Sequence, residues 1–480
     1  MAFDVMTSGI RTGKDYIESI RDGREVWVSG KRIEDVPSHP AFAGAVQSVA
    51  AAYDLQHDRA LQDQLTWPSP VSGERVALTF KPPTSREDLV ERRAMVDLFS
   101  RQTGGTMGRM PEYGGAFAVG LLSLANELGE ENEQRVHAWF EQCRERDTCL
   151  VTSFVDPQVD RSRPAQETGL LHLVEARDDG IVISGCKSVA TLGPAANEFM
   201  IITAPRRFSS ADEVVYVAVP ANSEGLKFFC REPFAPGRER HDAPLSSRFD
   251  ELDAWALFDN VFVPNERVFV SKDVDMSKVP GFFAKILAWP WYHNLIRVSV
   301  KAELLAGIST LLAEYLQTAQ FPQVQELISE SIEYAQTVHA YLRAGEMDCI
   351  ETPSGFVAPN PSFMSVGKVY AVQGYPRMLE IVRELAGQGI IMAPRSVDLE
   401  QPEIGPIVRS YYSAYDVDAD DRIKLFRLAW DIACDSFSGR QTLFELFNAG
   451  GLAVSKLGIA TNTDKTPYVE LAKQLAGIES

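Results

Sequence analysis

The sequence predicts an α+β chain of three successive parts: a mainly helical N-terminal domain over residues 1–147, a β domain over 148–275 and a helical bundle over 276–480. Three observations carry that reading. Residues 84–102 open on Thr-Ser-Arg-Glu and continue as a charged amphipathic run, the pattern of a capped helix. Between 148 and 275 the texture shortens to alternating or apolar runs such as GIVISG, EVVYVAV and ALFDNVFVP, punctuated by Gly, Pro and Asn. Beyond residue 280, Leu295, Val298, Ala302, Leu305, Ile308 and Leu312 recur at steps of three or four and form one apolar stripe.

In chain order, residues 12–21 suit a short helix, and 25–33 alternate around Ser29-Gly30, a hairpin turn. After the helix at 84–102, two more helices are expected before Asp147. Pro111 suits the first turn of one of them, where its missing N–H costs nothing, so Arg109 falls in the entering loop and Tyr113 on the first turn. The β domain reads as a small barrel or sandwich. Further long helices are expected over 324–344, 366–386, 422–435 and 439–447, interrupted by the Pro-rich 352–361 and by GQGIIMAP at 387–394. A length of 480 residues fits two or three cores rather than one.

Composition excludes several functions. The formal net charge of −19 argues against nucleic acid or an anionic membrane as partner. Six cysteines without a CxxC pair read as reduced thiols, and no signal peptide or long apolar span is evident, so a cytoplasmic protein is expected. The seven histidines lack ligand spacing, and no bound metal is expected. No GxGxxG unit for a nicotinamide cofactor is present.

Read alone, Arg109 is either an anion-binding group or a helix-entrance charge paired with Glu112 or another carboxylate. His293 is either a base or a core histidine at a helix start, and Arg297, one turn on, could pair with substrate or a carboxylate. Arg161 could be a surface partner of Asp160 or Asp156.

Three separated segments, GRMPEY at 108–113, TSFVDPQVDRSRP at 152–164 and WYHNLIRVSVKAELLAG at 291–307, resemble the 4-hydroxyphenylacetate 3-monooxygenase family in the same order. The opening segment at 12–42 and GRQTLFELF at 439–447 extend the likeness over nearly the whole chain. Members of that family are the FADH2-dependent oxygenase components of two-component phenol hydroxylases. The resemblance implies an acyl-CoA dehydrogenase-like fold, with FDNVFVP at 258–264 as the strand closing the β domain, and hydroxylation through a flavin hydroperoxide formed with molecular oxygen. It also implies a separate NAD(P)H:flavin reductase and a homotetramer.

Residue by residue, Arg109 and Tyr113 match the family's substrate contacts, and His293 matches the base of the halophenol branch, whose YHNLIR-like segment is the nearest in motif. A guanidinium can stabilise a phenolate and an imidazole can take its proton. Thr152 stands where the hydroxyphenylacetate branch has a histidine, which moves the expected base to His293. Flavin contacts are implied for Thr152, Ser153, Phe154, Gln158, Val159, Asp160, Arg161 and Thr191. A C-terminal turn of Asn448, Ala449, Gly450 and Gly451 is implied as well, although Gly451-Leu452 replaces the usual Asp-Pro. Ala204 and Pro205 fall at a substrate-side position.

Two other activities use related scaffolds. A flavin-dependent N-oxygenase or oxidase would need the same flavin pocket without a phenolate base. A CoA-thioester dehydratase or dehydrogenase is the other; the dehydratases carry an iron–sulfur cluster, but Val300 stands seven residues after His293 and no cysteine precedes Cys143.

Overall fold

Thr12 caps the helix Gly13–Ser19 through a capping box with Asp15, and Ser29 and Gly30, both at positive φ, fold Glu25–Val28 back onto Lys31–Ile33. Positive φ at both turn residues is what a two-residue hairpin requires. The structure, a computed structural model, describes residues 8–160, 162–204, 210–272, 275, 278–413, 417–448 and 450–478.

This hairpin leaves the helical part and joins the β part. Glu25–Val28 pairs in parallel with Leu226–Cys230. The resulting six-stranded sheet continues through Asp253–Pro264 and Gly180–Thr191 to His172–Ala176. A second sheet of four strands runs Val268–Val270, Tyr216–Pro220, Glu198–Ile202 and Leu150–Ser153. Apolar side chains close the space between the two, with Phe199 of one sheet stacked on Phe228 of the other at 5.2 Å.

Around the sheets, Ser85 and Asp88 cap the helix Arg86–Gln102. Pro111 opens Pro111–Leu122, every residue of which is buried, and Glu130–Glu145 follows. The helix Ala43–Leu55 was not expected. Its sequence, AGAVQSVAAAYDL, has no side-chain cap and no charged face. Tertiary burial of Val46, Val49, Ala50 and Tyr53 holds it rather than a pattern visible in the residues.

The C-terminal part is built on Val279–Tyr315, packed against Pro322–Met347 and Pro361–Ala386. The placing of His293 at a helix start is corrected here: the helix begins at Val279 and runs through Pro290. Pro290 removes the amide that would bond the Ile286 carbonyl, yet burial of Ile286, Trp289 and Tyr292 keeps both sides helical. The Pro-rich 352–361 contributes the small pair Ile350–Glu351 and Val357–Ala358. Ala419–Ala433, Ser436–Phe447, Leu452–Asn462 and Thr466–Ala476 complete the bundle.

Candidate active site

The loop entering Pro111–Leu122 is tied down by a carboxylate from the β part. Glu251 Oε2 accepts from the backbone amides of Gly108 and Arg109 at 2.8 and 2.9 Å. Gly108 lies so close to Phe444 that a Cβ would sit 2.3 Å from the ring, so any larger residue would have to push that ring aside. With its backbone fixed, Arg109 lays its guanidinium 3.9 Å from the centre of the Tyr113 ring. Its Nη1 donates to the Gly108 carbonyl at 3.0 Å and its Nη2 to Asn448 Oδ1 at 3.0 Å.

Arg109 is buried, its Nε has no hydrogen-bond partner, and no carboxylate among the described residues lies within ion-pair distance of the guanidinium. The pairing of Arg109 with Glu112 considered from the sequence does not form. Glu112 turns instead to His293, Oε1 lying 3.1 Å from Nε2, with side chains 2% and 3% exposed. Its Oε2 is buried without a donor, an arrangement that costs a fold about 1–3 kcal/mol. Burial pushes His293 below its ordinary value, the Glu112 carboxylate acting in the opposite direction. The imidazole is therefore neutral at pH 7 and can accept a proton.

Tyr113 completes the cluster. Its ring meets His293 edge-on at 5.2 Å, and its hydroxyl lies 3.2 Å from Thr152 Oγ1. Burial pushes the Tyr113 hydroxyl up, so it stays protonated and able to donate. The structure thus brings Arg109, Tyr113, Thr152, His293 and Asn448 into one group of contacts. Asn294 joins it, accepting from Asn448 Nδ2 at 2.8 Å.

Behind this group stands a paired ionic frame. Arg297 meets Glu445 through both terminal nitrogens at 2.7 and 2.6 Å, and Lys301 reaches the same carboxylate at 2.5 Å. Arg440 bridges Glu251 and Asp253. Arg109, Arg297 and Arg440 surround the Phe444 ring at 5.3, 5.2 and 4.5 Å. Of these, Glu112 and Asn294 lie inside segments the sequence already marks. Arg440 and Glu445 lie inside the marked 439–447 segment without being singled out there, and Glu251 and Asp253 carry no local signal, since their partners are far away in the chain.

The residues implied for flavin fall into two places. Ser153 donates to the Val189 carbonyl at 2.8 Å, and Phe154 packs between Phe117 and Phe283 at 5.9 and 6.0 Å. Val155 and Val189, joined by a bridge and 38% and 40% exposed, form an apolar step beside them. Gln158, Val159 and Asp160 follow at the surface, Asp160 accepting from Ser162. Asp156 pairs with Lys187 at 2.7 Å. The Thr191 hydroxyl donates to Asp253 Oδ1 at 2.7 Å, which leaves its oxygen free only to accept. At the second place, Gly450 takes φ 100°, its carbonyl accepts from Lys368 Nζ, and nothing stands within 4 Å of a Cβ added to Gly451. An apolar step flanked by an amide and hydroxyls, with an open glycine turn beside a lysine, fits the flat ring and anionic tail of a flavin. Ala204 is half-buried beyond Thr203, which bonds Val215. Arg161, Pro205 and Ala449 lie outside the described residues.

A family model for the N-terminal part of 4-hydroxyphenylacetate 3-hydroxylase matches residues 12–270, and one for its C-terminal part matches 283–477. The oxygenase component of 4-hydroxyphenylacetate 3-monooxygenase from a Geobacillus strain is 32% identical over 98% of this chain and 97% of its own. The FADH(2)-dependent monooxygenase TftD of Burkholderia cepacia is 31% identical over 98% and 93%. A crystal structure of the 4-hydroxyphenylacetate 3-monooxygenase oxygenase component complexed with FAD and 4-hydroxyphenylacetate superposes with a TM-score of 0.92 at 31% identity, covering 98% of this chain and all of that one. An archaeal 4-hydroxybutyryl-CoA dehydratase from N. maritimus, 21% identical over 98% and 96% of the two chains, reaches a TM-score of 0.89, a likeness of fold.

Proposed function

The chain belongs to the 4-hydroxyphenylacetate 3-hydroxylase family, and on that premise we propose that it is the oxygenase component of a two-component, FADH2-dependent monooxygenase that hydroxylates a phenol. The acyl-CoA dehydrogenase-like fold, the FAD dependence and the use of molecular oxygen come with the family. The observation that carries the site assignment is the buried Arg109 guanidinium with no carboxylate partner among the described residues. A cation so placed calls for an anion from outside the chain, and a phenolate is the anion that Tyr113 and His293 beside it would create.

A phenol of pKa about 10 is a weak ring nucleophile while protonated. In this reading Arg109 and Tyr113 hold the phenol oxygen, His293 takes its proton, and Arg109 stabilises the oxyanion left behind. Val155, Val189, Asn448, Gly450 and Gly451 would hold reduced FAD, which when bound would supply, with oxygen, the oxygen atom that enters the ring. Phe117, Phe154 and Phe283 wall the space against water. Thr152 cannot serve as a base near neutral pH, which favours His293 and a substrate nearer the halophenols or a biosynthetic phenol than hydroxyphenylacetate itself. Reduced flavin would come from a separate NAD(P)H:flavin reductase.

Apolar side chains left in solvent support a homotetramer. The helix Thr466–Ala476 buries no residue, and Leu457, Tyr468, Leu471 and Leu475 are 58–80% exposed. The run Ser436–Asn462 is long and apolar enough to cross a membrane by composition alone. It breaks at the turn after Phe447, however, and carries Arg440 and Glu445 bonded into the protein. Covering by further copies of the chain suits it better, and we place the protein in the cytoplasm. The divisions near 147 and 275 are retained, with the hairpin at 25–33 assigned to the β part.

The test combines the purified chain, a flavin reductase, NADH, FAD and oxygen with a panel of halophenols, nitrophenols and hydroxyphenylacetate. A hydroxylated product from at least one phenol is expected. Peroxide without product across the panel would favour the N-oxygenase or oxidase reading, for which His293 would be dispensable. Light scattering in the same buffer reads the expected tetramer.

A further inference from the structure

We propose that Glu112 is a positioning residue for His293: its Oε1 accepts the Nε2 hydrogen and thereby leaves Nδ1 as the nitrogen that takes the phenol's proton. The proposal rests on the reading of His293 as the base and adds to it the residue that selects the nitrogen.

Four observations converge. The Glu112–His293 contact is 3.1 Å and closed to solvent. A carboxylate only accepts, so the nitrogen facing it must carry hydrogen, and a neutral imidazole then has its lone pair on the other nitrogen. No described residue is hydrogen-bonded to Nδ1. The Tyr113 ring, edge-on at 5.2 Å and 74°, holds the imidazole plane against flipping.

The second oxygen of Glu112 adds to this. Oε2 is buried with no donor, so among the described residues His293 is the hydrogen-bond donor to this side chain. The charges facing His293 are Glu112 from the helix Pro111–Leu122, Arg109 from the loop before it and Arg297 from its own helix, with the Tyr113 hydroxyl neutral. Glu112 favours the imidazolium, and Arg297 and Arg109 oppose it. When the phenol O–H breaks and an Nδ1–H bond forms, the imidazolium keeps its Nε2–H on Glu112. The proton moves from substrate oxygen to Nδ1, and nothing is oxidised or reduced.

The test is nitrogen NMR of flavin-free protein labelled with 15N-histidine, from pH 5 to 9, with His293→Ala identifying the signal. In the unaltered protein, His293 is expected as the Nε2–H form. In Glu112→Gln its titration midpoint is expected to fall by about one pH unit, because the anion that favours imidazolium is gone. The acid limb of phenol turnover should move down with it, and the plateau rate should fall about tenfold as the base weakens. Glu112→Asp should restore part of both shifts. An Nδ1–H form in the unaltered protein, which needs no variant, overturns the proposal, as does a midpoint that Glu112→Gln leaves in place. A midpoint that moves while the turnover limb stays put overturns the base role of His293, and the positioning role with it.

Discussion

Two buried ionic groups lie side by side here, and they are built on opposite plans. Around Glu445, Arg297 closes both terminal nitrogens on the carboxylate, Lys301 adds a third donor, and Gln441 joins Lys301 to the Thr106 carbonyl. Around Arg109, no carboxylate among the described residues meets the guanidinium, and none of those residues bonds Glu112 Oε2 or the second nitrogen of His293. The first group can form only in a finished protein and supports it. The second is held in place at a cost to stability, which marks it as the group that meets something from outside.

Substitutions should separate the two. Glu445→Gln leaves Arg297 and Lys301 buried without an anion and should destabilise the fold by about 3 to 5 kcal/mol, read as a lower denaturation midpoint. The same variant fixes a sign. Arg297 and Lys301 hold the Glu445 carboxyl at about 2 against burial, compared with its ordinary 4.5. Its contribution is therefore present above pH 4.5 and is lost as pH falls toward 2. That part of the acid dependence should vanish in Glu445→Gln, and an unchanged acid limb would break the contrast.

His293→Ala should cost about 10² to 10³ in hydroxylation at pH 7, with recovery as pH rises toward the phenol's own pKa of about 10, because the substrate then ionises unaided. A flat pH response would remove His293 from proton transfer. Arg109→Met should lower turnover about 10²-fold while leaving the denaturation midpoint unchanged or higher, the reverse of Glu445→Gln. A midpoint loss as large as that of Glu445→Gln would place Arg109 in the supporting frame instead. The smallest effect is expected for Thr191→Val. Asp253 keeps Arg231 and Arg440 when that hydroxyl is lost, so stability should change by about 1 kcal/mol or less, and FAD affinity measured by fluorescence titration is the readout to watch.

What the residues disclose follows from distance along the chain. The helix at Pro111 and the cap at Ser85 are local matters and read correctly from neighbours. Arg109 and Tyr113 stand four apart in a single motif, so their adjacency is legible too. Glu251 and Arg440, which tie the Arg109 loop to the β part and the bundle, are not singled out by FDELDAW or GRQTLFELF, because their meaning depends on partners far off in sequence. Pro290 misleads for a related reason: its local rule ends a helix, and only the burial of Trp289 and Tyr292 overrules it. Glu112, three residues after Arg109, offers the sequence one carboxylate with which that guanidinium could pair. The true partner of Glu112, His293, lies 181 positions on.

The parallel pairing of Glu25–Val28 with Leu226–Cys230 also sets an order of events during synthesis. Ribosomes add about 5 to 20 residues per second, so the hairpin waits about 10 to 40 s for the strand that will flank it. During that interval Val26 and Val28, fully covered in the finished sheet, have no neighbour on that edge. A nascent chain stalled before residue 226 therefore carries an open sheet edge at Glu25–Val28 available to chaperones or to other stalled copies.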